Sequence, residues 1–209
     1  ELKNNYPSTP LVYVDMDGVL ADFFGPIAKH HGVKQWRDAR RARRQAGDKI
    51  DKIAKKPGFF LKLKPLPNAG KLIKNILKMA DQYSILSSPL LSAVEQSSDE
   101  KEEWLKRHLK KNPPRAILFD HEKFKFAKQA DGTPNILIDD YETNIKLWEA
   151  NGGIGILYSD DKCDQALQQL HGAIHGKFKR TYNLPLAILQ KEIELENGAS
   201  ENQKQSYYY

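Results

Sequence analysis

Cysteine is almost missing from this chain: one residue, Cys163, in 209. A single thiol excludes an internal disulfide framework and fits a reducing, cytoplasmic setting. No apolar run approaches the length that crosses a bilayer. The first ten residues, Glu1–Pro10, are polar and lack the apolar centre of a secretory signal. Position 1 is Glu rather than Met, which fits a trimmed chain. Zinc-type ligand sets are absent as well, because neither His30 and His31 nor His171 and His175 has companion ligands. There are no internal repeats. What is present, 40% hydrophobic and 29% charged residues, specifies a globular protein rather than a disordered one. The length suits one sizeable domain with an insertion. The formal net charge is +6, and much of the positive charge sits in one block, Arg37–Lys56. That block is either a solvated basic face or a device for steering an anionic substrate.

The stretch Leu11–Phe24 organises the rest. An apolar, β-branched run, Leu11–Val14, leads into Asp15 and Asp17, then Gly18 and a second apolar run. This predicts a buried strand that ends in a sharp turn and delivers two carboxylates to the carboxyl edge of a sheet. Open α/β sheets place their ligand sites at that edge. Phe23–His31 predicts a helix stopped at Gly32, and Trp36–Lys56 a helix with a basic face, ended by Pro57 and Gly58. Residues 22–64 therefore read as a small helical cap inserted after the first strand. Asn68–Ala80 is an amphipathic helix. Further strands are expected at Tyr83–Leu86, Ala116–Phe119, Asn135–Ile138 and Ile154–Tyr158. Further helices are expected over Ser98–Leu109, with Ser98 as N-cap, and over Thr143–Ala150, 164–175 and 183–195. The alternation indicates an α/β fold, a Rossmann-like parallel sheet of five strands with helices on both faces. Residues 1–21 and 65–196 form the core domain in this reading, and 197–209 a loose polar tail.

Four of the five expected strands end in residues suited to phosphate and metal. Asp15 and Asp17 follow the first, Ser87 and Ser88 the second, and Lys123 comes after the third. Asp139 and Asp140 follow the fourth. Carboxylates brought together in this number repel each other unless a cation neutralises them. Hard oxygen ligands select Mg2+, which keeps room for water and a phosphate oxygen. Hydroxyl and ammonium groups suit the remaining phosphate oxygens. Lys125 and Lys128 lie near Lys123 and compete for its role; Ser88 and Asp140 are open to a plain turn or helix-capping reading.

The order DxDGV, strand-SS, Lys, strand-DD resembles the four motifs of the haloacid dehalogenase (HAD) superfamily of phosphatases, over nearly all of Leu11–Tyr158. Within it, Asp15–Phe23, Pro57–Phe60, Leu66–Pro67, Ile85–Pro89, Glu100–Trp104 and Leu137–Asp140 resemble the 5′(3′)-deoxyribonucleotidase family. Asp139–Ile145 and Gly152–Ile156 are similar to members encoded by bacteria and large bacteriophages. The resemblance implies a HAD-like fold and a Mg2+-dependent phosphomonoesterase. In that scheme Asp15 is the nucleophile that becomes an aspartyl-phosphate, and Asp17 is the proton donor and later the base. The metal is held by Asp15, Asp17 through its backbone carbonyl, Asp139 and Asp140. Gly18, Ser87, Ser88 and Lys123 bind phosphate. The spacing of the Asp131–Asn135 segment departs from the compact form of that family.

Phe23, Trp36, Phe59 and Phe60 are candidates for a base-stacking pocket, with ordinary packing the competing account of each. The expected partner is a small phosphorylated substrate, a nucleotide first. The alternative substrates are another small phosphomonoester, such as a sugar phosphate, or phosphorylated nucleic-acid ends, which the arginine-rich block favours; a non-catalytic binding protein on the same fold is the third reading. No membrane is expected as partner, and a homodimer is compatible with the sequence.

Overall fold

The computed structural model describes residues 9–30, 32, 52–177, 182 and 189. The expected basic helix up to residue 51, Trp36 within it, the 183–195 helix apart from Leu189, and the tail lie outside the described residues.

Five parallel strands form one sheet: β1 (Val12–Val14), β2 (Ser84–Ser87), β3 (Ile117–Phe119), β4 (Ile136–Asp139) and β5 (Ile154–Leu157). Their order is β3-β2-β1-β4-β5, so β1 is central and is flanked by β2 and β4. The helices among the described residues are α1 (Phe24–His30), α2 (Ala69–Ala80), α3 (Val94–His108), α4 (Glu142–Ala150) and α5 (Cys163–Ile174). None of them is long and apolar enough to cross a membrane.

The strands are continuous apolar runs because both faces of the sheet are covered, as parallel sheets require. Their side chains still alternate. Val12, Val14, Ile85, Ile136 and Ile138 join one cluster with Leu72, Ile73 and Ile76 of α2 and Leu167 and Leu170 of α5. Tyr13, Leu86 and Leu137 point the other way, onto Ile145 and Trp148 of α4. α2 and α5 lie against each other, and Leu77 completes the apolar face of α2 from a partly buried position.

Among the described residues the expected strands and helices occur with shifts of one or two residues, except at α3. That helix starts at Val94, four residues before the expected start, and Ser98 lies inside it rather than at its cap. The chain leaves β2 through Pro89 and makes a 3-10 turn, Leu91–Ala93, which runs directly into the helix. Ser97 does the local bonding: its Oγ accepts from the Leu90 amide at 2.8 Å and donates to the Val94 carbonyl at 3.1 Å.

The segment 22–64 leaves and rejoins the sheet at neighbouring points. The Asp22 amide donates to the Lys64 carbonyl at 2.8 Å, and the Leu66 amide to the Leu20 carbonyl at 2.8 Å. Ala21 and Pro65 form an antiparallel bridge at the same place.

Candidate active site

Strand register brings the acids together. Val14 is level with Ile138 on β4 and with Ile85 on β2. The next residue of β1 is Asp15, whose amide donates to the Ile138 carbonyl at 2.9 Å. Asp15 therefore stands beside Asp139, and Ser87 ends the strand on its other side. Past Asp15 the chain turns tightly. The Leu20 and Ala21 amides both donate to the Met16 carbonyl, and Gly18 adopts a left-handed φ of 77°. A side chain at Gly18 would place its Cβ 2.4 Å from Asp140 Oδ2. Only glycine allows both this backbone and this approach.

Asp15, Asp139 and Asp140 each offer an oxygen within 4.8 Å of the others, which is the donor set of a hard divalent cation. Lys123, on a 3-10 turn at Lys123–Phe126, inserts its ammonium between two of them, 2.9 Å from Asp15 Oδ1 and 2.7 Å from Asp139 Oδ2. Asp15 Oδ1 nevertheless accepts no well-directed hydrogen bond, and the buried Asp17 Oδ1 has no hydrogen-bond partner. The buried Asp15 oxygen, beside two further acids, fits a cation. Asp139 is held in place by the Tyr141 amide at 2.8 Å and the Asn144 amide side chain at 2.9 Å.

Asp17 lies outside that acid trio, and its carboxylate meets Lys101 instead. Lys101 Nζ lies 2.6 Å from Asp17 Oδ2, 2.5 Å from the Ser88 carbonyl and 3.4 Å from Ser87 Oγ. This lysine is wholly buried on α3, one face of which packs on the core through Trp104 and Leu105. Sequence reasoning passed over it. The available signal was a lysine at helical spacing from the apolar Trp104 and Leu105. Asn144 was missed for the same reason: it reaches the site from a helix rather than from a strand end.

The electrostatics divide the two acids of the β1 turn. Burial pushes the Asp17 carboxyl above the usual carboxylate range, and Lys101 opposes this only in part. Asp139 is likewise raised by burial against the pull of Lys123. Burial works against the charge of Lys123, but Asp139 and Asp15 overcome it and hold the pKa above the ordinary lysine value. His121, between Asp120 and the Lys123 turn, is pushed down by burial and by Lys101.

Of the neighbouring lysines, Lys125 pairs with Glu122 in solvent and Lys128 is exposed. Lys123 is the one of the three in contact with the acids. Ser87 is fully buried; Ser88 donates weakly to the Asp120 carbonyl at 3.4 Å. Phe23 is fully buried, stacked on Phe60 at 5.9 Å and set edge-on to Phe59 at 5.7 Å. Phe59 is only half-buried. A separate cavity of about 270 Å³, lined by Pro26, Ile53, Lys56, Pro57, Phe59, Lys62 and Leu63, touches none of the acids.

A carboxylate at the end of the central strand, a second acid two residues on, an acid pair at the end of the neighbouring β4 and a buried ammonium between Asp15 and Asp139 come together at one edge of the sheet. The five-stranded parallel sheet and the acid cluster at its carboxyl edge are thus the HAD-like arrangement that the sequence resemblance leads one to expect. The family is narrower: the profile of the 5' nucleotidase, deoxy (Pyrimidine), cytosolic type C proteins matches residues 9–171, and the chain belongs to that family. The human cytosolic-type 5'(3')-deoxyribonucleotidase is 30% identical over 149 residues, which span 63% of this chain and 71% of its own. A putative 5'(3')-deoxyribonucleotidase of Vibrio phage KVP40 is 29% identical over 114 residues, 54% of this chain and 59% of its own. Among solved structures, a hydrolase from Streptococcus pneumoniae aligns over 78% of this chain and 100% of its own, with a TM-score of 0.48 and 14% identity.

Proposed function

We propose that this phosphatase is Mg2+-dependent and removes phosphate from deoxyribonucleoside or ribonucleoside monophosphates through an aspartyl-phosphate on Asp15. The observation that carries the reading is the acid trio, Asp15, Asp139 and Asp140, with Lys123 between two of its members. Relatives with the name 5'(3')-deoxyribonucleotidase supply the substrate class. The Asp15, Asp139 and Asp140 carboxylates would hold Mg2+, with the Asp17 carbonyl as a further ligand. Bound there, the ion supplies positive charge that screens the carboxylate attack on a dianionic ester.

The chain's own groups carry the steps. An Asp15 carboxylate oxygen forms a bond to phosphorus as the bond to the leaving oxygen breaks. Asp17 passes its proton to that oxygen, a task suited to an acid whose pKa burial has raised. In the second half Asp17 takes a proton from water, which attacks phosphorus and releases Asp15. Lys123, the Ser87 hydroxyl and the backbone at Gly18 stabilise the phosphoryl oxygens. Residues 22–64, with their two ends paired beside Asp22 and Lys64, act as a cap that supplies the nucleoside pocket through Phe59, with Phe23 and Trp36 as its other proposed members. The Phe23 ring is fully buried against Phe59 and Phe60, so its part in the pocket is to back those rings.

The test is phosphate release across ribo- and deoxyribonucleoside monophosphates, sugar phosphates and 5'-phosphorylated oligonucleotides, with and without Mg2+. Mononucleotide turnover that needs Mg2+ and disappears in Asp15→Asn is expected. Turnover confined to the oligonucleotides, with strong salt dependence, would replace the mononucleotide reading with a nucleic-acid-end phosphatase.

A further inference from the structure

Glu100 is a buried carboxylate that the chemistry above does not use. It sits on α3, immediately before Lys101, and its carboxylate binds main-chain amides rather than the site's side chains. Its Oε1 accepts the Gly58 amide at 2.7 Å and its Oε2 accepts the Phe60 amide at 3.1 Å, across 42 and 40 residues of chain. Gln96, one turn earlier, donates to Glu100 Oε1 at 3.0 Å and more weakly to the Lys55 carbonyl at 3.4 Å. Trp104, one turn later, donates its indole N–H to the Leu63 carbonyl at 2.8 Å. Residues spaced four apart on one helical stripe thus fasten the return limb of the 22–64 segment, from Lys55 to Leu63, onto the core.

What that limb carries is aromatic. Phe59 and Phe60 are the residues between and beside the two amides that Glu100 receives, and both pack on Phe23. Phe60 also lies under Lys101, whose Nζ is 4.8 Å from the ring centroid. Two consecutive residues of α3 therefore meet at Phe60 and link the limb to the site. Lys101 grips Asp17 and the Ser88 carbonyl, and Glu100 grips the aromatic limb. Gly58, at a left-handed φ of 77°, lets the limb present its amides to one carboxylate.

We propose that Glu100 is a positioning residue for substrate selection: it sets the distance between the Phe59–Phe60 wall and the proton-carrying Asp17. This rests on the reading of that wall as the nucleoside pocket. The carboxylate acts by accepting two main-chain N–H groups, so its isostere fails at one of them. In Glu100→Gln the side-chain amide nitrogen replaces an oxygen, meets an N–H donor and cannot accept. A nucleoside monophosphate needs wall and acid in register, whereas p-nitrophenyl phosphate, with a small and easily departing leaving group, needs little of either.

The experiment measures kcat and KM of Glu100→Gln for dUMP and for p-nitrophenyl phosphate, together with amide hydrogen exchange at Gly58 and Phe60 in the absence of substrate. The positioning role predicts faster exchange at those two amides, with the Trp104 end unchanged. It also predicts a loss of about tenfold or more in kcat/KM for dUMP, mostly in KM, against less than about threefold for the aryl phosphate. The dUMP loss is expected to vanish when Phe59→Ala is already present, because Glu100 acts through that ring. Equal losses on both substrates would mark Glu100 as a plain structural residue, and unchanged exchange with unchanged kinetics would remove the clamp altogether. If Glu100→Gln does not fold, Glu100→Asp, which keeps both oxygens but shortens the reach, is subject to the same split. If the wild-type protein hydrolyses the aryl phosphate and no nucleotide, the nucleoside reading fails; faster exchange at Gly58 and Phe60 then still supports the clamp, and unchanged exchange overturns it.

Discussion

Lys101→Met tests the electrostatic account of the site most sharply. The substitution keeps the length of the side chain and removes one ammonium. In the wild type that ammonium is 2.6 Å from Asp17 Oδ2, with both side chains almost fully enclosed. Breaking a buried pair from one side leaves a charge without compensation, at a cost of about 3–5 kcal/mol. Asp17 can escape that cost by taking up a proton. Burial already raises its pKa, and Lys101 is the largest influence holding it down, so removal raises it further. The sign follows from proton counts. A folded-state carboxyl pKa above the unfolded value means that the folded form binds more protons, and stability falls as pH rises through the window between the two. One group contributes at most about 1.4 kcal/mol per pH unit, so moving from pH 8 to pH 5.5 restores stability by no more than about 3.5 kcal/mol. For a chain of this size that bound corresponds to roughly 7–14 °C in melting temperature, and the direction, a smaller deficit at pH 5.5 than at pH 8, is the prediction. Thermal unfolding of variant and wild type at both pH values reads the difference. The kinetics add a second signature. A protonated Asp17 can still serve the leaving group but serves poorly as base, so the aspartyl-phosphate accumulates and the pH optimum moves upward. A stability deficit equal at pH 5.5 and pH 8, with no movement of the optimum, would refute the coupling of Lys101 to Asp17.

Other perturbations probe neighbouring parts of the site. Gly18→Ala forces a Cβ to within 2.4 Å of the Asp140 carboxylate at a φ of 77°, so strain of about 1–3 kcal/mol and loss of turnover are expected together, seen by melting temperature and phosphate release. Without added cation, buried Asp139 makes the protein less stable as pH rises above the ordinary carboxylate range; added Mg2+ should reduce that fall, and Asp139→Asn should abolish the effect of Mg2+ on the melting curve. His121 should remain neutral in the folded protein to a pH below the ordinary histidine value, because burial and then Lys101 disfavour its charge. Stability contributed by that neutral ring is complete above the unfolded value and declines as pH falls through it, a slope that His121→Gln should flatten in unfolding curves, while NMR titration follows the ring directly.

The parts of the molecule legible from sequence were those written in consecutive residues. Leu11–Val14 before Asp15, and Asn135–Ile138 before Asp139, each state a buried strand and its chemical end in one short string. A parallel sheet then leaves little freedom in where those ends meet, because Val14 and Ile138 are in register and the next residue of each strand is the acid. Helix starts were less legible. Ser98 looked like a cap because hydroxyl residues favour that position, but the 3-10 turn at Leu91–Ala93 had already begun the helix and Ser97 took the bonding role.

Helix-borne contributors were hardest to read, since the residues that cooperate are spread over turns and reach across the fold. Glu100 and Lys101 both stood within a motif string, yet nothing in that string says that one faces Asp17 and the other Gly58. A charged residue on an apolar stripe is a real signal, but an unspecific one. Glu149, on the buried stripe of α4 with Ile145 and Trp148, sends the same signal. It receives the Tyr182 amide at 2.6 Å and the Gly155 amide at 3.4 Å, and this fastens chain to chain far from the acids. The partner decides the meaning. A buried carboxylate on main-chain amides holds a segment in place, and what it does for catalysis depends on the cargo of that segment. Glu149 holds a strand and a connection, whereas Glu100 holds the limb that carries two aromatic rings packed against Phe23, one of them, Phe60, beside Lys101. A buried ammonium on a titratable carboxylate is different in kind, because its removal changes where a proton resides. That distinction is why Lys101→Met is expected to act through pH and Glu100→Gln through substrate.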